Sequence, residues 1–381
     1  MSFDVCVVGA GVIGSSIAYH AARGGARVCL VDPAAEVRAP AASWASAGGV
    51  RRQNRHPAEW PLTIEAAARW PRLDEELGEP TGFRAGGHLH VAETREELDA
   101  VAARAAEEAR GGIEVEMLDA AAVLRLAPGL GAGVAGGAHT PGDGQADPRA
   151  TTRAFRRAAI RHGAEERPAP VRELSVAGGR VIGVRLPEES IRAETVVLAG
   201  GAWSAALAAP WLRLPVVADA LQMLETDPMP DELVPTITAE GRRLSLKQLP
   251  SGAYLVGGGW PGEVEGEECR VLPASAAGSW ATATSLYGPL RSTRPARSWC
   301  GLEARTPDGL PLIGPSEELV GLFLCAAFCS HGFQLAPAVG RAVAAALREG
   351  TEAELAAYLP GRFRGGATEA GSPRRPAPSG S

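Results

Sequence analysis

The chain has 381 residues, 45% hydrophobic and 22% charged, with a net charge of −6. That length exceeds one ordinary core of roughly 100–200 residues, so two closely joined domains are expected. The acidic balance and scarce aromatics exclude a basic, aromatic-lined nucleic-acid surface, and no apolar stretch is long enough to read as a membrane span.

The N-terminus "MSFDVCVVGAG" has neither a basic segment nor a long apolar one. No signal peptide is read there, and a cytoplasmic location is expected. Residues 3–8 read as a buried strand. A glycine turn follows, then a helix over 12–24 with Ile13, Ile17, Ala18 and Ala21 on one face. A second apolar strand, "RVCLVD", ends at Asp32. Together these make one βαβ unit of about 30 residues.

Residues 34–60 read as a loop rich in Pro, Ala, Ser and Gly, followed by helical patterns at 61–78 and 94–109. Segments 83–92 and 112–117 read as strands. Asp147 and Pro148 open a helix over 147–165. A hairpin then leads into a buried strand at Thr195–Leu198. The pattern from 211 to 300 is largely strand-like, with a hairpin around Pro250–Gly252. Another buried strand, 321–328, runs into a helix at 335–349. The final stretch, 365–381, lacks apolar content and is expected to be a disordered tail.

"GAGVIG" sets Gly9, Gly11 and Gly14 in GxGxxG spacing between a strand and a helix. Gly9 permits the turn, Gly11 lets a pyrophosphate approach the backbone, and Gly14 allows close helix–strand packing. With Ala10, Val12 and Ile13 they form the phosphate-binding turn at a helix N-terminus. Asp32 stands where a carboxylate binds ribose hydroxyls, and its charge argues against a 2′-phosphate. The motif alone leaves NAD and FAD open. Six scattered cysteines form no CxxC pair and seven histidines form no HxxxH or HExxH, so no metal site is expected.

That N-terminal unit, with "SAGGVRRQ", "DGQADPRATTRAF", "VVLAGGAWS", "TPDGLPLIGP" and "SHGFQLAPAVGRAV", occurs in an order that resembles the D-amino-acid-oxidase-type FAD-dependent oxidoreductases. These include glycine oxidase, sarcosine oxidase and β-like chains of proline and sarcosine dehydrogenases. The resemblance covers nearly the whole chain apart from the tail. It implies an α/β (mixed α+β) fold. A Rossmann-type FAD-binding domain would be built from 1–80, 147–210 and 300–364, interwoven with a mixed-sheet substrate domain from 81–146 and 211–299.

The resemblance further places Ser43, Ser46, Gly48 and Gly49 along the flavin, Val171 on adenine, and Ala199, Gly200 and Trp203 after the strand that meets the pyrophosphate and ribose. It places Gly332, Phe333 and Gln334 at the isoalloxazine edge. Monomeric sarcosine oxidases attach FAD through a Cys upstream of the TPD segment; here that position is Gly301, with Cys300 one residue off, so non-covalent FAD is expected.

The family oxidises a C–N bond by hydride transfer to flavin N5, and the imine hydrolyses in water. Glycine-oxidase-like chains carry "GLR", whose Arg holds the substrate carboxylate; this chain reads "GLE", with Glu303. Glu303 is therefore read as recognising a cation, the donor ammonium included, with Arg305, Arg51 and Arg52 as its other possible partners. Lys247 falls near the position of a carboxylate-binding Tyr and is a replacement anchor, with Arg51 and Arg52 as further candidates. The expected function is oxidation of a CH–NH bond of an amino acid or related amine, with O₂ or another electron acceptor taking the electrons. A 2-hydroxy-acid oxidoreductase is the rival within the fold, with His331 as its base. A flavin subunit awaiting a partner subunit is the rival outside it.

Overall fold

The computed structural model describes residues 2–230, 233–350 and 353–363; the tail expected to be disordered lies outside them. Two eight-stranded sheets organise the chain. In the first, the strand Ser2–Val8 runs parallel to Val28–Val31 on one side and to Ser190–Leu198 on the other. Glu165–Arg167 and Leu322–Ala326 extend these parallel pairs. Such strands are covered on both faces, which explains why they read as continuous Val, Cys and Leu runs. Helices Val12–Arg23, Pro148–Arg161 and Gly332–Glu349 cover one face, around Ile17, Phe155 and Val339.

The second sheet orders Pro295–Arg305, Val217–Pro228, Ala253–Gly257, Ser245–Gln248, Thr236–Ala239, His88–Ala92, Gly136–Thr140 and Glu116–Asp119. Its strands alternate. Leu224, Val256, Leu246, Ile237 and Leu89 join a core with the helix Pro273–Leu286. The residues between them, such as Met223, Ser245 and His90, face a cavity. The strand Pro295–Arg305 keeps this sheet going past the expected boundary at 300. The hairpin at Pro250–Gly252 forms as expected, with Gly252 at φ +86°.

Three local expectations differ. The helix Pro273–Leu286 lies where a strand pattern was expected; its apolar residues surround it without a stripe, so periodicity gave no helical signal. The helix expected over 61–78 breaks at Trp70–Pro71 into shorter turns, because a proline ring clashes with the preceding turn. The last long helix starts at Gly332, three residues early. Among the described residues no helix is long and apolar enough to cross a membrane.

The first and last helices of the first sheet lie in close contact. Ser16 Oγ donates to the Ala336 carbonyl at 2.7 Å. A Cβ on Gly340 would lie 2.1 Å from Ser16 Oγ and 2.8 Å from the Ser16 carbonyl carbon. Gly340→Ala would gain about 1 kcal/mol of helix propensity, but the overlap with main chain should outweigh it, costing about 1–3 kcal/mol. The expected net result is a lower urea midpoint at unchanged slope. An unchanged midpoint would mean that the two helices separate freely.

Candidate active site

The first strand delivers the chain into Gly9, at φ +100°, where a Cβ would lie 2.5 Å from the Ala199 carbonyl oxygen. Gly14 is still tighter: its Cβ would lie 1.9 Å from the Gly9 oxygen. Only glycine fits either place. The Val12 N–H donates to Ser43 Oγ at 3.0 Å, and the Ala10 N–H to Asp32 Oδ2 at 2.8 Å. Asp32 Oδ1 also accepts from the Ala34 N–H at 2.9 Å.

A channel leads from this turn. Gly9, Gly11, Val12, Ile13, Asp32, Ser43, Ser46, Ala199, Gly200, Trp203, Gly332 and Phe333 all line it. The Gly turn, the helix N-terminus, the acid at the second strand's end and a continuous channel fit a dinucleotide. Gly48 has φ +68°, and its Cβ would meet the Ala146 carbonyl, so it turns the loop; Gly49 lines the neighbouring cavity.

Two expected cofactor contacts lie elsewhere. The Gln334 side chain is buried between helices and its Nε2 donates to the Thr63 carbonyl at 3.1 Å, while the Gln334 backbone carbonyl accepts from Trp70 Nε1 at 3.0 Å. Val171 packs against the apolar cluster of Leu174 and Val184. Neither lines the channel.

A cavity of about 790 Å³ adjoins the channel and shares Ala42, Ser46, Glu303, Ser330 and Phe333 with it. Glu303 therefore stands at the junction. It lies on the strand Pro295–Arg305 opposite Asp219, and its carboxylate accepts a hydrogen bond from Ser330 Oγ. Burial pushes its carboxyl up, and the Ser330 bond pulls partly back. Arg305 is not its partner but bonds Asp219 at 3.0 Å. Ser330 sits at φ +70°, beside Cys329 at +51° and Ala327 at +57°. Three non-glycine residues in the left-handed region within four positions mark a strained loop, as is common at functional sites.

The tandem arginines part company. Extended backbone sends successive side chains to opposite sides. Arg52 turns away from the cavity: its Nε donates to Asp143 Oδ1 at 2.8 Å and its backbone N–H to Oδ2 at 2.8 Å. Its expected substrate role is thus replaced by a structural ion pair. Arg51 lines the cavity, and so does Arg55, which the sequence did not single out. Among the described residues no carboxylate lies within 4.0 Å of either guanidinium. Burial, with the Arg51 charge, pushes Arg55 down to about 9.

His331 lines neither space. Its Nδ1 lies 2.9 Å from the buried carboxylate of Glu59, and burial holds it down to about 4. A base for alcohol oxidation is not presented there. Glu59, 272 positions away, gave no sequence signal. Lys247 sits on the same sheet face as the cavity-lining Ser245 but is itself buried and off the lining.

The outer wall was also not foreseen. The Glu240 carboxylate accepts from His90 Nε2 at 2.8 Å and from Arg104 Nη1 at 2.8 Å, and both hold it down to about 2. The Thr238 hydroxyl lies 2.7 Å from His90 Nδ1 and 2.9 Å from His88 Nε2, and His88 Nδ1 lies 2.6 Å from the Gln53 side-chain oxygen. The alternation in "HLHV" puts both histidines on one face, the only trace of this network in the sequence.

Burial holds the Lys247 ammonium down to about 7 against an ordinary 10.5, and Asp147 offsets only part. Because the folded value is depressed, the unfolded chain holds this proton more tightly. Lys247 thus subtracts stability below about pH 7, and the penalty fades as pH climbs towards 10.5. Lys247→Met should raise the melting temperature at about pH 6 and change it little at about pH 10. A drop at the lower pH would show that the folded protein supplies this lysine with an anion.

Known proteins share this architecture. The family model described as FAD dependent oxidoreductase (DAO) matches residues 4–346. Glycine oxidase from Pseudomonas aeruginosa is 32% identical over 90% of this chain and 94% of its own. A D-amino acid dehydrogenase from Cereibacter sphaeroides is 30% identical over 88% and 90%. The solved glycine oxidase of Geobacillus kaustophilus superposes with a TM-score of 0.86 at 28% identity, covering 96% of this chain and all of that one. With the glycine turn, Asp32 and the joined channel and cavity in place, the chain belongs to the DAO family of FAD-dependent oxidoreductases.

Proposed function

We propose that the donor is an amino acid or N-substituted amino acid whose carboxylate docks on Arg51 and whose amine faces Glu303. The enzyme oxidises a CH–NH bond; the proposal concerns how this chain holds the donor without the family's usual Arg. The observation that carries it is the Arg51 guanidinium, on the cavity wall with no carboxylate among the described residues in ion-pair range. An oriented guanidinium fork matches a carboxylate bidentately.

When bound, the flavin supplies the two-electron acceptor. The chain's own residues orient, desolvate and deprotonate. Glu303 lies where channel and cavity meet, and its raised carboxyl is a better base than an exposed one. It pairs with the donor ammonium and takes a proton, leaving the neutral amine that can lose hydride. Ser330 fixes the carboxylate, and the strained loop Ala327–Ser330 fixes Ser330. The resulting imine hydrolyses. Non-covalent FAD is supported at the position the resemblance points to: at Gly301 a Cβ would lie 2.2 Å from Ala45 Cβ, and Cys300 packs against Ala220 and Leu302 off both linings.

Anaerobic bleaching of the flavin by a panel of amino acids, N-methyl amino acids, carboxylate-free amines and hydroxy acids tests this reading. Arg51→Met should raise the half-saturating concentration of carboxylate donors about tenfold or more and leave carboxylate-free amines unaffected. Equal losses for both would overturn the Arg51 assignment. Glu303→Gln should slow bleaching at neutral pH about 100-fold and move the pH dependence towards that of the free amine. A wild-type pH profile retained in Glu303→Gln would remove Glu303 as the base. Admitting air to the reduced protein then separates an oxidase from a dehydrogenase.

A further inference from the structure

The inner wall of the cavity carries more cationic recognition than one carboxylate uses. Arg55 is 9% exposed, and its Nη1 is buried without a hydrogen-bond partner. Its Nε reaches only the Arg51 carbonyl, at 3.4 Å. The carboxylates nearby are committed elsewhere: Asp143 to Arg52, Glu59 to His331, Glu240 to His90 and Arg104. Glu108 accepts from the Asn54 N–H at 2.6 Å. Glu59 and Asp143 therefore act on Arg55 only at a distance. Buried donors in native proteins are nearly always satisfied, so a guanidinium in a cavity wall with one nitrogen left unpartnered points to a ligand.

The size of the space agrees. About 790 Å³ extends from Glu303 and Phe333 at the junction to Thr238 and Glu240 at the outer wall. That range accommodates a ligand well beyond a donor of a few atoms.

Building on the assignment of Arg51 to the donor's carboxylate, we propose that Arg55 is a second carboxylate subsite. The preferred donor is then a secondary amine with a carboxylate on each arm, an N-(carboxyalkyl) amino acid. Each guanidinium takes one carboxylate, and the nitrogen between them faces Glu303. The carbon–hydrogen bond beside nitrogen breaks with its electron pair going to the flavin, while the nitrogen's proton goes to Glu303. Water adds across the C=N bond, releasing one arm as an oxo acid and the other as a primary amino acid.

The test uses the FAD-loaded protein and two thioethers that cannot be oxidised as amines, 2,2′-thiodiacetate and (methylthio)acetate, titrated by calorimetry. Wild type should bind the dicarboxylate at least about tenfold more tightly. Arg55→Gln should weaken thiodiacetate at least about ten times more than it weakens methylthioacetate, Arg55→Lys should keep part of the preference, and Arg51→Met should weaken both. Equal wild-type affinities would overturn the proposal, as would equal losses in Arg55→Gln, which would mean that one carboxylate bridges both guanidinia. If Arg55→Gln fails to load FAD, the wild-type comparison decides alone. Bleaching by simple amino acids without any dicarboxylate preference would sink the second subsite and leave the Arg51 assignment standing; no bleaching by any carboxylate amine would sink both.

Discussion

The geometry of the site rests on one steric constraint, the near-contact of three backbone segments at the end of the first strand. Gly9 turns against the Ala199 carbonyl, and Gly14 brings the first helix down onto Gly9. No side chain separates helix from sheet at Gly14, so the helix N-terminus at Gly11 and Val12 opens onto the channel. Everything downstream inherits that placement. Ser43 comes onto the Val12 N–H and Asp32 onto the Ala10 N–H. The last long helix, seated on the first through Ser16 and Ala336, aims its own N-terminus at the junction where Glu303 lies.

Much of this was legible because it is local. The strand, turn, helix and acid of the first 32 residues announce themselves by spacing, and order along the chain was enough for the resemblance. Side-chain direction was legible only where periodicity carries it. The sequence offers Arg51 and Arg52 as equivalents; the extended backbone and the buried Asp143 make one a cavity residue and the other a strut. Gln334 and His331 look like flavin neighbours from their motif, yet Thr63 and Glu59, far away in sequence, hold Gln334 Nε2 and His331 Nδ1. Arg55 went unnoticed because nothing in sequence says that a loop arginine lacks a partner.

Exchanging Arg for Glu at position 303 alters the polarity of the site without emptying it of positive charge. Arg51 lines the cavity from the loop after Gly49, and Glu303 takes the junction. A zwitterionic donor held as proposed would meet complementary ends in the reverse of the "GLR" arrangement. The outer network acts differently. Glu240 is fully engaged by His90 and Arg104, so it stiffens the wall rather than adding an anion for the donor.

The threading of the two sheets has a consequence for how the protein comes into being. Strands of the first sheet come from both ends and the middle of the chain, and those of the second fill the intervals. The second sheet lacks its edge strand until Pro295–Arg305 has left the ribosome, and the first lacks Leu322–Ala326 for longer still. Until then the nascent chain carries unpaired strand edges, the condition that favours aggregation over folding. A cofactor that binds only the finished channel stabilises by mass action after closure and does nothing before it. Raising the cofactor supply should therefore prolong the life of completed molecules, while the yield of completed molecules answers to chaperones and to the pace of synthesis.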